Sequence, residues 1–301
     1  MKEVSKQWFD RLRCPRCNGK TIQGTRSVSC TDCETVYPIT DDIALMVLPE
    51  DMNACDRFCS QYDALRLKEG WASDLPDYYE SLPFHDLAGL HSDHWKLRTN
   101  SYRLIDRWLR RIFDGARRMV LDGGAGNGWL SKLLAKRHDV AALDLNAGRH
   151  GLGAIPKNRR TYAAIQAGLE RMPLVDECCD VVIINASLHY GQAPDRYLQE
   201  THRILVSNGF LFITDSPVYP TESGADQARE RTQAYYEEAG FPELAKYYCG
   251  LTDACFDAHD LFQFQRLRRD FSRTELIKKR VREALGSPES ARFPVWVGRK
   301  E

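Results

Sequence analysis

The sequence predicts an α/β fold in which helices pack on both faces of a mostly parallel sheet. The first observation is a short apolar run at 119–121 that ends in an acid and a cluster of glycines. Such a run predicts a buried parallel strand, and the glycines predict a tight turn into a helix that starts near Asn127. A second apolar run, 139–145, also ends beside an acid. Further runs at 180–185 and 204–214 predict the fourth and fifth strands.

The turn after the first strand reads D-x-G-x-G-x-G, with Asp122 followed by Gly124, Gly126 and Gly128. Glycine permits positive φ and lets a ligand approach the main chain closely. The dinucleotide fingerprint G-x-G-x-x-G, read from Gly124, needs its third glycine where Trp129 stands. The turn therefore favours S-adenosylmethionine, which has no phosphate, over a dinucleotide.

The acids that end the first two strands have distinct predicted roles in holding this cofactor. At Asp122 a carboxylate helps to place the amino-acid part, and the bare backbone from Gly124 to Gly126 leaves room for it. At Asp144 a carboxylate can accept hydrogen bonds from both ribose hydroxyls, in either class of cofactor.

Several ordered motifs follow the glycine turn. E-R-M-P-L stands at 170–174, D-V-V at 180–182 and R-I-L at 203–205, the last followed by Gly209. This succession resembles the class I S-adenosylmethionine-dependent methyltransferase family, in particular its small-molecule-type branch, over residues 101–216. The resemblance implies a seven-stranded, mostly parallel Rossmann-like methyltransferase sheet.

The resemblance also implies which residues hold the cofactor. Family members often carry an acid at the position of Gly168, where it contacts the adenine amino group. Here that contact must come from backbone groups or from Glu170, with Leu169 packing on the adenine face. Arg98 either reaches the cofactor carboxylate or forms a surface salt bridge, and both readings stay open. The expected cofactor-binding residues are Asp122, Gly123, Gly124, Gly126, Asn127, Asp144, Leu145, Leu169, Glu170, Asn185 and Arg98.

Methyl transfer from a sulfonium requires alignment of donor and acceptor, and sometimes removal of a proton. Candidate catalytic residues follow strand ends, where open α/β sheets bind ligands: His189 and Tyr190 after the fourth strand, and Asp215 at the end of the fifth. In the family the histidine either acts as a base or lines the pocket. Asn185 does not begin an N-P-P-[YF] motif, which excludes amino-group DNA and protein glutamine methyltransferases. Oxygen, nitrogen and carbon acceptors stay open.

Four cysteines near the start of the chain predict a structural zinc ribbon over residues 1–50. They form C-x2-C-x12-C-x2-C, which suits a closed tetrahedral site on a β-hairpin, whereas a disulfide framework suits an oxidising compartment. Residues 36–46 resemble a small zinc-ribbon family whose free-standing members activate tRNA, rRNA and protein methyltransferases by adding a strand to the partner's sheet. The expected ligands are Cys14, Cys17, Cys30 and Cys33.

The remaining domain organisation follows from composition. Residues 51–100 are rich in aromatic residues and histidine and form a connecting or cap segment. A helix predicted at 101–113, with Ser101 as its cap, opens the methyltransferase domain of residues 101–301. An acceptor-side lid is expected within 217–265.

Composition restricts partners and compartment. Lysine plus arginine (42) equal aspartate plus glutamate (42), so nothing in the net charge favours a polyanionic partner. Ten cysteines without an export signal, and no apolar run of membrane-spanning length, predict a cytoplasmic protein with no membrane partner. Basic clusters at 96–118 and 266–282 are either an RNA track or solvated helix faces.

The sequence therefore predicts a zinc-ribbon-fused methyltransferase that acts on a small or medium-sized metabolite. One alternative is an RNA base methyltransferase in which the ribbon and the basic helices dock nucleic acid. Another is a non-catalytic binding module that keeps the fold. The acceptor, the role of the ribbon and the oligomeric state stay open.

Overall fold

The structure, a computed structural model, describes residues 3–191, 194–257, 259–267 and 291–301. Its α-helices are α1 Glu3–Phe9, α2 Met52–Lys68, α3 Tyr78–Ser81, α4 Ser92–Ile112, α5 Trp129–Leu134, α6 Pro194–Ile204 and α7 Glu222–Ala239. Its strands are β1 Thr21–Gln23, β2 Ser27–Cys30, β3 Val36–Thr40, β4 Ile43–Leu45, β5 Met119–Gly123, β6 Asp139–Asp144, β7 Ala163–Gln166, β8 Cys179–Asn185, β9 Leu205–Thr214, β10 Val218–Tyr219, β11 Leu251–Thr252, β12 Phe262–Leu267 and β13 Val295–Lys300. Apart from its first two residues, the basic cluster at 266–282 lies outside the described residues.

Eleven strands of the described chain form one mixed sheet in the order β1-β2-β3-β4-β7-β6-β5-β8-β9-β13-β12. The strands from β4 to β9 in this order are parallel to one another, whereas β13 and β12 are antiparallel at one end and β1 to β3 at the other. The predicted α/β class and parallel centre are therefore observed. The prediction of seven strands concerned the methyltransferase sheet alone, and in the structure four strands of the first fifty residues join the same sheet.

The first fifty residues are built into the core of the larger domain. Strand β4 pairs in parallel with β7, with Ile43 opposite Ala164. Trp8 of α1 is fully buried in the same apolar cluster as Leu121 of β5 and Ile165 of β7. Burial of one large apolar side chain contributes about 1.5–3 kcal/mol. The N-terminal segment is therefore held by packing as well as by strand pairing.

Helix α4 corrects one expectation of the sequence. It begins at Ser92, so Ser101 lies inside the helix and does not cap it. The fully buried hydroxyl of Ser101 donates a hydrogen bond of 2.7 Å to Oδ1 of Asp215. A serine before an apolar repeat resembles a cap in sequence, but here its hydroxyl serves a buried carboxylate. Ile105 and Leu109 of this helix are fully buried, whereas Ile112 is exposed.

Within the described ranges, no helix is long and apolar enough to cross a bilayer.

Candidate cofactor and acceptor site

A cavity of about 360 Å³ opens at the carboxyl ends of β5, β8 and β9. Ligand pockets in proteins have volumes of about 300–1,000 Å³, so this one has room for a cofactor and part of an acceptor. The strand ends supply one wall, and the segment 51–100 supplies another through Tyr62, Arg66 and Trp71. The predicted site residues that line the cavity are Arg98, Asp122, Gly124, Gly126, Asn127, Asn185, His189, Tyr190 and Asp215.

The glycine turn forms the floor of this cavity. Gly124, Gly126 and Gly128 have φ of 69°, 52° and 75°, a region that favours glycine. A Cβ on Gly124 would lie 2.3 Å from Oγ of Ser187, whereas one on Gly126 would meet no atom within 4 Å. Helix α5 begins at Trp129, two residues later than predicted, because the glycines continue in a left-handed conformation. The backbone at Gly126 therefore leaves open space for a ligand.

A side chain that fills the space above Gly126 should lower the affinity for the ligand. The substitution Gly126→Val is expected to weaken S-adenosylmethionine binding by at least about tenfold, or roughly 1.4 kcal/mol, because the side chain occupies the ligand's volume. Isothermal titration measures the affinity. Gly115→Val is a matched control, since Gly115 also has positive φ (73°) and no neighbour within 4 Å but lies outside the cavity. Equal affinity losses in the two variants would show that backbone strain, not occupied space, is responsible.

Asp122 is a buried acid at the edge of the glycine turn. It is 1% exposed, and its Oδ2 accepts a hydrogen bond of 2.6 Å from Oγ of Ser131. Burial raises the pKa of Asp122 to about 7. A buried carboxylate whose charge is balanced by so few hydrogen bonds favours a cationic partner. The ammonium group of an amino acid is such a partner.

Asp144 is partly buried, and its carboxylate is bound by backbone groups. It accepts hydrogen bonds of 2.8 Å from the N–H groups of Gly126 and Asn146. Burial raises the pKa of Asp144. Both oxygens retain further acceptor capacity, so hydroxyl groups can still bind.

The remaining predicted cofactor residues are not brought to the cavity wall. The thiols of Cys55 and Cys59 in α2 donate hydrogen bonds to the carbonyl oxygen of Leu145, at 3.6 and 3.4 Å, and cover this end of β6. Leu169 packs beside the glycine turn, and Glu170 is exposed. None of Asp144, Leu145, Leu169 and Glu170 lies among the residues that line the cavity.

The candidate catalytic residues meet at one side of the cavity. His189 is buried, with Nδ1 3.2 Å from Oγ of Ser216. Burial, followed by the guanidinium groups of Arg66 and Arg98, lowers the pKa of His189 to about 3. The ring of Tyr190 contacts that of His189 in a tilted arrangement, with 4.2 Å between centroids, and its hydroxyl accepts a hydrogen bond of 2.6 Å from Arg66.

Asp215 is held by several hydrogen bonds. Its carboxylate accepts from Ser101 at 2.7 Å, from Nδ2 of Asn185 at 2.6 Å and from Oγ1 of Thr214 at 3.1 Å. Helix α4 and the ends of β8 and β9 thus meet at one carboxylate. This arrangement fixes the geometry of the site.

Arg98 is placed between two indole rings. Its guanidinium carbon lies 4.9 Å from the ring centroid of Trp71 and 4.5 Å from that of Trp95. In the described ranges no carboxylate oxygen lies within 4.0 Å of this guanidinium, so the surface salt bridge is not observed. Burial lowers the pKa of Arg98. Asp215 is the carboxylate that acts most strongly on its charge, and a guanidinium that lines a cavity without a directly bound carboxylate can bind an anionic ligand group.

Sequence reasoning missed the contribution of α2 to the site. Tyr62 and Arg66 lie four residues apart on one helix face, and both line the cavity. The guanidinium of Arg66 lies 4.7 Å from the ring centroid of Tyr62. The richness of 51–100 in aromatic residues was a signal for a cap, but it did not identify these positions.

The four cysteines of the first fifty residues form one cluster. Their sulfur atoms lie within 4.8 Å of one another, with Cys14 and Cys33 3.6 Å apart and Cys17 and Cys30 3.4 Å apart. A tetrahedral Zn–S bond of about 2.3 Å requires sulfur–sulfur distances of about 3.8 Å. The backbone N–H groups of Asp32 and Cys33 donate to Sγ of Cys30, which suits a thiolate. The donor set therefore fits a structural metal ion.

The central region of the chain is similar to a known family. Residues 121–213 match the family model described as a methyltransferase domain. The matched residues contain the glycine turn and the strands β6 to β8.

Individual relatives share parts of the chain. A malonyl-[acyl-carrier protein] O-methyltransferase of Laribacter hongkongensis is 31% identical over 130 residues, which are 38% of this chain and 41% of that protein. The chain thus spans less than half the length of that relative. A 27-O-demethylrifamycin SV methyltransferase of Amycolatopsis mediterranei is 26% identical over 231 residues, 70% of this chain and 82% of that protein.

Solved structures include similar chains. One is the 1,6-didemethyltoxoflavin-N1-methyltransferase of Burkholderia thailandensis with bound 1,6-didemethyltoxoflavin and S-adenosylhomocysteine. It is 16% identical with a TM-score of 0.46, and the match covers 92% of this chain and 99% of that one.

Proposed function

We propose that this chain is an S-adenosylmethionine-dependent methyltransferase that acts on a small or medium-sized metabolite. The observation that carries the proposal is that one cavity contains both a buried acid, Asp122, and open space above the backbone of Gly126. The size of the cavity and its aromatic walls support a small acceptor. The named acceptors of the two curated relatives, a malonyl carrier protein and a rifamycin derivative, are in keeping with biosynthetic metabolism.

The chain's own residues supply contacts for three groups of the cofactor. Asp122 binds the ammonium group, Arg98 binds the carboxylate, and Asp144 accepts from the ribose hydroxyls. When bound, the cofactor supplies a methyl group on a positively charged sulfur, which is an electrophile with a good leaving group. The aromatic side chains of the segment 51–100 exclude water, and the Asp215 network holds the acceptor side in place.

The N-terminal cysteine cluster is proposed to hold a structural zinc ion. In this assignment residues 1–50 with β1 to β4 form the ribbon, 51–100 form the cap, and 101–301 form the methyltransferase domain with the seven strands from β7 to β12 in sheet order. The four thiols close the coordination shell, so the ion has no open position for catalysis. Free thiols throughout the chain are in keeping with a cytoplasmic location.

Cofactor binding tests the first part of the proposal. S-adenosylmethionine and S-adenosylhomocysteine are expected to bind, and Asp144→Ala should weaken binding by about 2–3 kcal/mol, because a charged hydrogen-bond acceptor is lost. Asp139→Ala is the control, since Asp139 begins the same strand at its opposite, exposed end and pairs with Arg117. An unchanged dissociation constant in Asp144→Ala would contradict the ribose assignment.

Labelled-methyl transfer tests the acceptor. A metabolite extract and total RNA are each incubated with the protein and the methyl-labelled cofactor. Label in small molecules supports the proposal. Label in RNA, lost steeply as salt is raised, would favour the RNA alternative, for which arginines exposed on α4 (Arg103, Arg107, Arg110 and Arg111) provide the surface.

A further inference from the structure

The acceptor side of the cavity lacks a group suited to remove a proton. His189 is neutral, because burial and then the guanidinium groups of Arg66 and Arg98 lower its pKa to about 3. Asp215 already accepts three hydrogen bonds. Burial raises the pKa of Tyr190 to about 12. General bases work best when their pKa lies near the operating pH, and neither His189 nor Tyr190 meets that condition.

The same side of the cavity carries positive charge. Arg66 donates to the hydroxyl of Tyr190 at 2.6 Å, and its ion-pair partner Glu69 lies outside the cavity wall. Arg98 lies between its two indole rings, Asp215 acts on its charge, and in the proposed function it binds the carboxylate of the cofactor. Asp63 of α2 also lines the cavity and accepts a hydrogen bond from Asn146. Arg66 is therefore the guanidinium that remains for an acceptor beside His189 and Tyr190.

We propose that the acceptor oxygen enters this site already ionised, as a carboxylate or as an acidic phenol or enol. The inference rests on the methyltransferase activity proposed above and adds its substrate class. A neutral alcohol or amine would have to give a proton to a base that this part of the site lacks. An oxyanion needs no base, and the cationic side chain of Arg66 stabilises it.

The chemical step balances without a proton acceptor. The lone pair of the acceptor oxygen forms the new bond to the methyl carbon, and the methyl–sulfur bond breaks with both electrons passing to sulfur. The positive charge of the sulfonium and the negative charge of the oxyanion cancel in the products, a methyl ester or ether and S-adenosylhomocysteine. The acceptor's proton has been lost to water before binding.

A pair of matched probes tests the substrate class. The protein is saturated with S-adenosylhomocysteine and titrated with 4-nitrophenol or with its neutral analogue 4-nitroanisole. At one pH unit below the pKa of free nitrophenol, bound probe is expected to show phenolate absorbance. The anisole is expected to bind at least about tenfold more weakly, or roughly 1.4 kcal/mol. Arg66→Gln should remove this preference, whereas Arg66→Lys, which keeps the charge, should retain most of it.

Arg110→Gln is the control for a general loss of positive charge, since Arg110 is exposed on α4 and pairs with Asp106. Equal binding of both probes, binding of the protonated phenol, or failure of both probes to bind would overturn the inference. If Arg66→Gln does not fold, the absorbance shift and the probe preference of the unaltered protein decide the question. Failure of S-adenosylhomocysteine itself to bind would instead contradict the proposed function.

Discussion

Replacing Asp122 with Asn is expected to stabilise the ligand-free protein while weakening its binding of S-adenosylmethionine. The carboxyl group is fully buried and receives one side-chain hydrogen bond, from Ser131, and burial raises its pKa to about 7. A carboxyl group whose folded pKa lies above its unfolded value contributes stability at low pH. That contribution is lost as the pH rises from about 4 to about 7. Above pH 7 the buried charge destabilises the fold by about 2–4 kcal/mol, and Asn avoids that cost.

The effect on cofactor affinity should have the opposite sign. Only the ionised carboxylate attracts the ammonium group, so the affinity of the unaltered protein should rise with pH until about pH 7 and then level off. Asp122→Asn should lose this dependence and bind roughly 100-fold more weakly above pH 7, since a buried charge pair is worth about 3 kcal/mol. Thermal melts and titration calorimetry across pH measure both effects.

Asp139→Asn provides the matched control on the neighbouring strand, because Asp139 is partly exposed and paired with Arg117. It should change neither the pH profile nor the affinity. If Asp122→Asn bound the cofactor as tightly as the unaltered protein at pH 8, Asp122 would be only a structural acid. The assignment of the ammonium site would then be wrong.

The strands around the glycine turn were predictable because their signals are local. A buried parallel strand reads as a continuous apolar run, and β5, β6 and β8 begin and end close to the predicted limits. The glycines after β5 have the positive φ that their spacing predicted. Residues at or just after strand ends, such as Asn185 of β8 and Asp215 after β9, therefore line the cavity as expected.

The other features of the candidate site depend on packing between segments that are distant in the sequence. A local sequence pattern carries no information about such packing. The position of α2 places Cys55 and Cys59 over the end of β6, so Leu145 is covered instead of facing the cavity. The same helix brings Arg66 to Tyr190, although 124 residues separate them. No spacing rule relates such positions.

The pairing of β4 shows the same limit of local sequence patterns. The apolar residues of β4 predict a strand, but its parallel partner β7 lies more than a hundred residues later. Resemblance to an activator that adds a strand to its partner's sheet did point to this kind of pairing. The structure shows the pairing within one chain.

The substitution Cys30→Ser is expected to remove the metal ion, lower stability and weaken cofactor binding together. Metal binding supplies folding free energy, about 10–16 kcal/mol in isolated zinc-finger peptides. The buried Trp8 and the pairing of β4 hold part of this segment independently, so a smaller loss is expected here, at least about 3 kcal/mol. For a domain of this size that loss lowers the melting temperature by roughly 6–12 °C.

The link to the cofactor site runs through Gln166 at the end of β7. Its carbonyl oxygen accepts from the N–H of Met46 at 2.8 Å, and its Nε2 donates to the carbonyl oxygen of Leu145 at 2.9 Å. Helix α2, which walls the cavity, begins six residues after Met46. Loosening of the ribbon should therefore displace both the end of β6 and the cavity wall.

Metal analysis, thermal melts and calorimetry with S-adenosylhomocysteine measure the three effects, with Cys255→Ser as the control because Cys255 is an exposed thiol outside the cluster. Full metal content and unchanged melting in Cys30→Ser would refute a structural metal site. Loss of the metal and of stability with unchanged affinity would instead show that the ribbon stabilises the sheet without shaping the cavity. Only a combined loss supports transmission through Gln166, because β7 is the strand that joins the ribbon to the cofactor end of the sheet.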